Sequence, residues 1–317
     1  MKRNGQPNEN TVIVCFFAKI HPCACRRGLV SFSHQMKSRR NRSDAAESAG
    51  ERDLQEKIDA FCLMDDKFMR KCLEKSRACV QYIARALLDD DSLVVREFST
   101  QRTVANLQGR SATLDIYAVD GRNHEIDIEI QNNLPDADVR RARWYSALLD
   151  ANNLRAGDDP RRLRETYVIF ITRGDYFALG EECMKFVRTD DKTGTKLGDG
   201  TTIIYVDGES RSDTRIGRLV HDLRCSNPDE MHSKTLANQV RRFKTTKEGR
   251  KAMSEVLEKM CAEERMAGKR EGMREGKIEG LLAAAKRMVQ GGLATLDQVV
   301  TTLKLDKAQA RALRAML

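Results

Sequence analysis

The sequence predicts an α/β fold: a central mixed β-sheet flanked by helices, with a helical extension at the C-terminus. Three observations predict it. "SATLDIYAVDGRNHEIDIEIQN" reads as two strands around a short polar turn. "TYVIFIT" is a continuous apolar run, as expected of a strand buried on both faces. The segments on either side of these strands repeat apolar residues at helical intervals.

The elements follow in order. "LQEKIDAFCLMDDKFMRKCLEKSRACVQYIARALLDD" predicts two helices that meet near Met64 to Asp66. "SLVVREFSTQRTV" reads as a strand and its exit. The hairpin comes next, turning at Asp120, Gly121, Arg122 and Asn123. "DVRRARWYSALLDANN" predicts a helix, "TYVIFIT" a strand, and "GDGTTIIYVDG" a strand opened and closed by glycine turns. "DTRIGRLVHDLRC" and "SKTLANQVRRFK" predict two further helices. Helices and strands in this order suit a mixed sheet covered by helices.

Both ends differ in character. Residues 1–50 include "HQMKSRRNRSDAAESAGERD", polar and aperiodic, which predicts a disordered extension. Residues 51–250 form the expected domain. Residues 251–290 read as a charged helix interrupted by Gly268, Gly272, Gly276 and Gly280. Each glycine weakens a helix by about 1 kcal/mol relative to alanine, so this helix is a poor one in isolation. Gly291 and Gly292 end it, and residues 291–317 read as a short helical hairpin. A packing or homo-oligomerisation role suits that hairpin better than DNA reading.

With 317 residues the chain can bury a sizeable core. Lys and Arg number 56 against 47 Asp and Glu, a net charge of +9 that gives weak support to an anionic partner such as nucleic acid. Aromatics are only 5%, which argues against a single-strand binder built on stacked bases. No run approaches the roughly 20 apolar residues that span a bilayer, so no membrane role is expected. Nine cysteines without regular spacing fit reduced thiols in a cytoplasmic protein. His21, Cys23 and Cys25 in "HPCAC" lack a second Cys/His pair at a useful distance, which makes a zinc site there a weak reading.

The chemistry concentrates in "HEIDIEIQN". Ile126, Ile128 and Ile130 share one strand face; Glu125, Asp127, Glu129 and Gln131 share the other. An acidic strand face is ordinarily a solvated one. Here, however, three poor strand formers stand in a row, and Asp115 lies in the otherwise apolar "TLDIYAV" across the hairpin. Asp115 and Glu129 can approach closely across such a pair of strands. Like charges that close raise each other's pKa unless a cation lies between them. Mg²⁺, or Mn²⁺ in its place, takes oxygen ligands and is held by one or two carboxylates. Glu125, nearest the turn, is expected to be a solvated charge. His221 beside Asp222 and Arg224 is expected to serve packing or capping, and Glu165 and Asp175 to be strand-end polar residues.

"MDDKFM", "LQGRSATLDIYAVD", "DIEIQ", "RRARWYSALLDAN", "ETYVIFIT", "DGTTIIYVDG" and "LVHDLRCSNPDEM" occur in one order over about residues 60–250. Together they resemble the PD-(D/E)XK nuclease family transposases, relatives of the recombination-promoting nucleases. The resemblance implies a restriction-endonuclease-like core, a metal-dependent DNA endonuclease activity on double-stranded DNA, and Mg²⁺ as the ion. It places the metal-binding acids on Asp115 and Glu129, with Gln131 completing a Glu-x-Gln motif. The upstream acid falls on Asp65, with Phe68 three residues on, though adjacent Asp66 is the alternative. Arg141 and Tyr145, an i, i+4 pair, fall on the helix expected to contact DNA. Asp127 stands where most such relatives carry Asn, and the lysine of the wider superfamily is replaced by Gln131. Those departures keep a catalytically weak or inactive DNA-binding protein on the same fold as the alternative.

Overall fold

A computed structural model describes residues 52–106 and 109–317. The extension expected at residues 1–50 and the "HPCAC" residues lie outside the described part.

The first helical stretch is three helices rather than two: α1 (residues 52–60), α2 (Asp66–Leu73) and α3 (Arg77–Leu88). Between α1 and α2 the Cys62 N–H donates to the Asp65 carboxylate at 2.8 Å, and the Met64 N–H donates to the Leu223 carbonyl. Before α3, Ser76 accepts the Cys79 N–H as an N-cap. Apolar spacing runs on through the second break because the hydroxyl that makes it adds no apolar signal.

Six strands follow: β1 (Val95–Val104), β2 (Ala112–Asp120), β3 (Glu125–Gln131), β4 (Thr166–Thr172), β5 (Cys183–Phe186) and β6 (Thr201–Asp207). They form one sheet in the order β1-β2-β3-β4-β6-β5. β3, β4 and β6 run parallel, and the remaining neighbours pair antiparallel. This mixed sheet with helices on its faces is a restriction-endonuclease-like α/β fold. β5 has no counterpart in the sequence reading. It is a four-residue edge strand, too short to show a period.

The hairpin turn is explained by its own residues. Asp120 accepts the N–H groups of Arg122 and His124, and Asn123 takes the left-handed conformation at φ 71°. At the far end of the parallel strands, Gly208 turns the chain against β4. A Cβ there would lie 2.5 Å from the Thr172 carbonyl oxygen.

Each sheet face has its own core. Ile126, Ile128 and Ile130 pack with Ile116, Ile169 and Val206 against α2, α3, α5 (Arg215–Arg224) and α6 (Lys234–Thr245). On the other face, Tyr117, Val168, Phe170 and Tyr205 pack against α4 (Val139–Asn153) through Ala142, Tyr145, Leu148 and Leu149. The acidic side chains of β3 point to this second face. They are therefore covered rather than solvated: Glu125 is 3% exposed, and Asp127 and Glu129 are 0%.

The charged stretch at the C-terminus is one continuous helix, α7 (Lys247–Gln290). Its glycines do not break it, since both ends are anchored. Thr246 caps its start and Met253 and Val256 join the main core. Leu282 and Ala285 share a separate small cluster with Val299 of α8 (Leu296–Thr302) and Leu313 of α9 (Lys307–Met316). No helix among the described residues is long and apolar enough to cross a membrane.

Candidate active site

The site is built where β2 and β3 part. Their ladder runs from Val119–Glu125 to Ile116–Ile128. One residue further, side chains replace the backbone partners. The Asp115 N–H donates to Glu129 Oε1 at 2.8 Å, and the Ile130 N–H donates to Asp115 Oδ2 at 3.1 Å. Each carboxylate thus accepts a backbone N–H from the opposite strand, and the two acids are fixed relative to each other.

β1 contributes an irregularity at the same level. Its pairing with β2 holds register at Thr100–Ile116 and at Arg102–Leu114, yet Gln101 between them has φ 56°. That conformation is uncommon for a non-glycine residue and costs on the order of 1–3 kcal/mol. β2 changes faces beside it: Leu114 packs with Tyr117 and Val119, although strict alternation would place it with Ile116 and Ala118. The Gln101 amide donates to Asp115 Oδ1 at 3.1 Å and to Asp66 Oδ1 at 3.2 Å.

The two candidate upstream acids have different partners. Asp66 shares Gln101 with Asp115, whereas Asp65 spends its carboxylate on the Cys62 N–H. Of the two, Asp66, the alternative, is the one the structure brings beside Asp115. Tight turns recruit acids as readily as metal sites do, so two adjacent aspartates looked equivalent in sequence.

The remaining residues converge on Glu129. The Gln131 amide donates to Oε2 at 3.2 Å, and Arg141 Nη2 lies 3.4 Å from the same oxygen. Arg141 is held in turn: Nε donates to the Tyr145 hydroxyl and Nη1 to the Asp136 carbonyl, each at 2.8 Å. Tyr145 is buried, with its hydroxyl turned to Arg141. Burial, with the Glu129 charge adding to it, pushes its phenol up to about 12.

Electrostatics follow from burial. Desolvation, then repulsion from Asp115, pushes Glu129 up to about 8. Desolvation is also the main cause that raises Asp115, with the Asp66 charge adding to it. Asp127 is also held well above the usual carboxylate range, by complete burial and then by Glu129. Neither Asp127 oxygen accepts a hydrogen bond from any donor of the described residues. Its neighbour is another acid, which can pair with it only if the two share a proton. Glu125, by contrast, accepts from the Tyr117 hydroxyl, from Asn153 Nδ2 at 2.6 Å and from Arg164 at 3.3 Å. The sequence reading of Glu125 as a solvated charge is therefore corrected: it is a buried, fully partnered acid.

An oxygen-only donor set, desolvated and repelling itself, is what a hard divalent cation neutralises. Asp115 and Glu129, with Asp66 at the rim, fit such an ion. Gln101, which no motif marked, is the residue that sequence reasoning missed. "STQRTV" contains nothing to distinguish it from its neighbours.

Residues 93–216 match the family model of the PD-(D/E)XK nuclease family transposases. Over that segment the chain is similar to the family. The match takes in Asp115, Glu129, Gln131, Arg141 and Tyr145 of the nuclease-family domain, and stops short of Asp65 and Asp66. No significant match was found among curated proteins or among solved structures. The domain supports a nuclease or transposase-associated role acting on DNA.

Proposed function

We propose that the chain is a divalent-metal-dependent endonuclease that hydrolyses phosphodiester bonds of double-stranded DNA. One observation carries the reading: the reciprocal hold of Asp115 and Glu129 on each other's strands, which fixes two desolvated carboxylates where the hairpin opens. Asp115 and Glu129 would hold Mg²⁺, or Mn²⁺ in its place, with Asp66 as a further carboxylate. When bound, the ion neutralises charge on the phosphodiester and lowers the pKa of a coordinated water.

The chain's own residues supply the rest. Gln131 donates its amide to the attacking water or to a phosphate oxygen. Arg141, released from Glu129, grips a non-bridging phosphate oxygen by a charge-assisted hydrogen bond. Tyr145 and the Asp136 carbonyl keep that guanidinium in place. The water oxygen bonds to phosphorus and gives up a proton to solvent, and the bond to the 3′ oxygen breaks, that oxygen taking a proton from solvent. We assign this activity to a domain at residues 51–250 and a cytoplasmic setting to the protein.

A supercoiled-plasmid nicking assay with and without Mg²⁺ tests the proposal. Cleavage that persists unchanged in both Asp115→Ala and Glu129→Ala would refute it.

A second reading rests on Arg141 and Gln131, which already give Glu129 Oε2 two donors without an ion. On this reading the protein binds DNA and does not cut it. Salt-sensitive binding, no cleavage with Mg²⁺ or Mn²⁺, and undiminished binding by Asp115→Ala would favour it.

A further inference from the structure

A second group of ligating side chains lies away from the Asp115–Glu129 site. His221 and Asp222 are on α5, and His232 is in the loop that leads to α6. One potential ligand atom from each of the three lies within 4.8 Å of the others. The two imidazoles meet edge to face, 4.7 Å between centroids. Both rings line an open cleft of about 720 Å³ between the β6–α5 and α5–α6 loops.

Capping explains part of this arrangement. The buried Asp222 carboxylate accepts the His232 N–H and the Ser233 N–H, both at 2.7 Å, and so fixes the loop before α6. It does not explain why two imidazoles from different elements converge on that carboxylate. His221 Nδ1 lies 3.3 Å from Asp222 Oδ1. Oδ1 already accepts the His232 N–H, and a carboxylate oxygen keeps a further lone pair for a ligand.

We propose that His221, Asp222 and His232 form a binding site for a divalent transition-metal ion of the Zn²⁺ class. Two imidazole nitrogens and one carboxylate are a borderline-soft donor set. Three such ligands with a fourth position open to a cleft are a recurrent zinc geometry, whereas Mg²⁺ selects oxygen-only sites. Bonds of about 2.0–2.1 Å require ligand atoms about 3.4 Å apart in a tetrahedron. Closing to that separation requires the exposed His232 ring to turn from its edge-to-face contact with His221. Asp222 is held by two backbone donors, the second layer of hydrogen bonds that orients metal-ligating carboxylates. Three arginines, Arg211, Arg218 and Arg224, line the cleft together with the acids Asp213 and Glu230, which offset part of their charge. Arg218 is paired with Asp213 at 3.2 Å, and Arg224 donates to the Ser210 carbonyl. The bound ion would tie the end of α5 to the α5–α6 loop. The site is independent of the nuclease reading.

The test is calorimetric titration of the full chain, stripped of metal, with Zn²⁺ and separately with Mg²⁺. It is run in an Asp115→Ala/Glu129→Ala background, so that the candidate active site cannot contribute. We expect one Zn²⁺ per chain, no competition by Mg²⁺, and at least tenfold weaker Zn²⁺ binding in His221→Asn and in His232→Gln. Co²⁺ in place of Zn²⁺ is expected to give the visible absorption of a tetrahedral site, lost in both histidine variants. His232 is exposed, so His232→Gln decides the matter even where His221→Asn fails to fold. Absence of saturable Zn²⁺ binding in the background protein, or equal affinity in His232→Gln, overturns the proposal.

Discussion

The two ends of β3 carry the same residue type on the same face, and the protein treats them in opposite ways. At the turn end, Glu125 is closed in by Tyr117, Asn153 and Arg164. At the open end, Glu129 faces Asp115 and the orphaned Asp127, and its pKa rises to about 8. Burial is similar at both ends. Each acid accepts three donors, one of them an arginine; the difference lies in the acids that stand beside Glu129. A buried acid with neutral and cationic donors is a structural fixture. A buried acid beside other acids is repelled by them even with an arginine at hand, and such sites are where perturbed pKa values mark function.

The largest effect expected from this contrast is on cleavage. Asp115→Ala or Glu129→Ala should lower Mg²⁺-dependent plasmid nicking by more than about a hundredfold, because each removes a proposed ligand of the charge-neutralising ion. Glu125→Gln should leave the nicking rate unchanged. Equal losses at the two ends would erase the distinction.

The next effect is on stability against pH. Glu129 binds its proton more tightly in the folded state, about 8 against an ordinary 4.5. Its contribution is complete below about pH 4.5 and is lost as pH rises through about 8, since above that range the folded protein must hold the ionised form. Denaturant melts of the metal-free protein should lose a few kcal/mol across that window. Added Mg²⁺ should flatten the loss by supplying the missing counter-charge. Stability that rises with pH over the same window would show that the open end is not self-repelling.

The turn end is then tested on its own terms. Glu125→Gln should cost about 1–3 kcal/mol in a chemical melt, as buried donors lose part of their acceptor. The smallest effect is expected at the support of Arg141. Tyr145→Phe removes the hydroxyl that accepts Arg141 Nε and keeps the packed ring. Nicking should fall about fivefold, the size of one ordinary hydrogen bond, with thermal stability little changed. A loss as large as that of Asp115→Ala would make Tyr145 more than a brace.

Most of this architecture was legible in the chain. Period-2 alternation placed β2 and β3, the apolar run placed β4, and the polar turn joined the hairpin, since these patterns report burial directly. Asp115 and Glu129 stood out in the sequence because acids in a strand need a reason. Short-range chemistry was less visible. The Ser76 cap and the four-residue β5 leave no periodic trace, and Asp65 and Asp66 differ only in which neighbour each one meets.

The sequence by itself determined that three carboxylates would share one face of β3 and that Asp115 would stand across the hairpin from them. Side-chain alternation in a strand allows no other arrangement. Tertiary structure alone decided what that face became. Covering it with α4 turned a solvated-looking stripe into a buried one, closed Glu125 with donors from β2, α4 and the chain before β4, and left Asp127 with none. It also bent β1 at Gln101, so that one amide reaches both Asp115 and Asp66. Desolvation and donor supply are properties of the neighbours that folding brings, and no single strand encodes them.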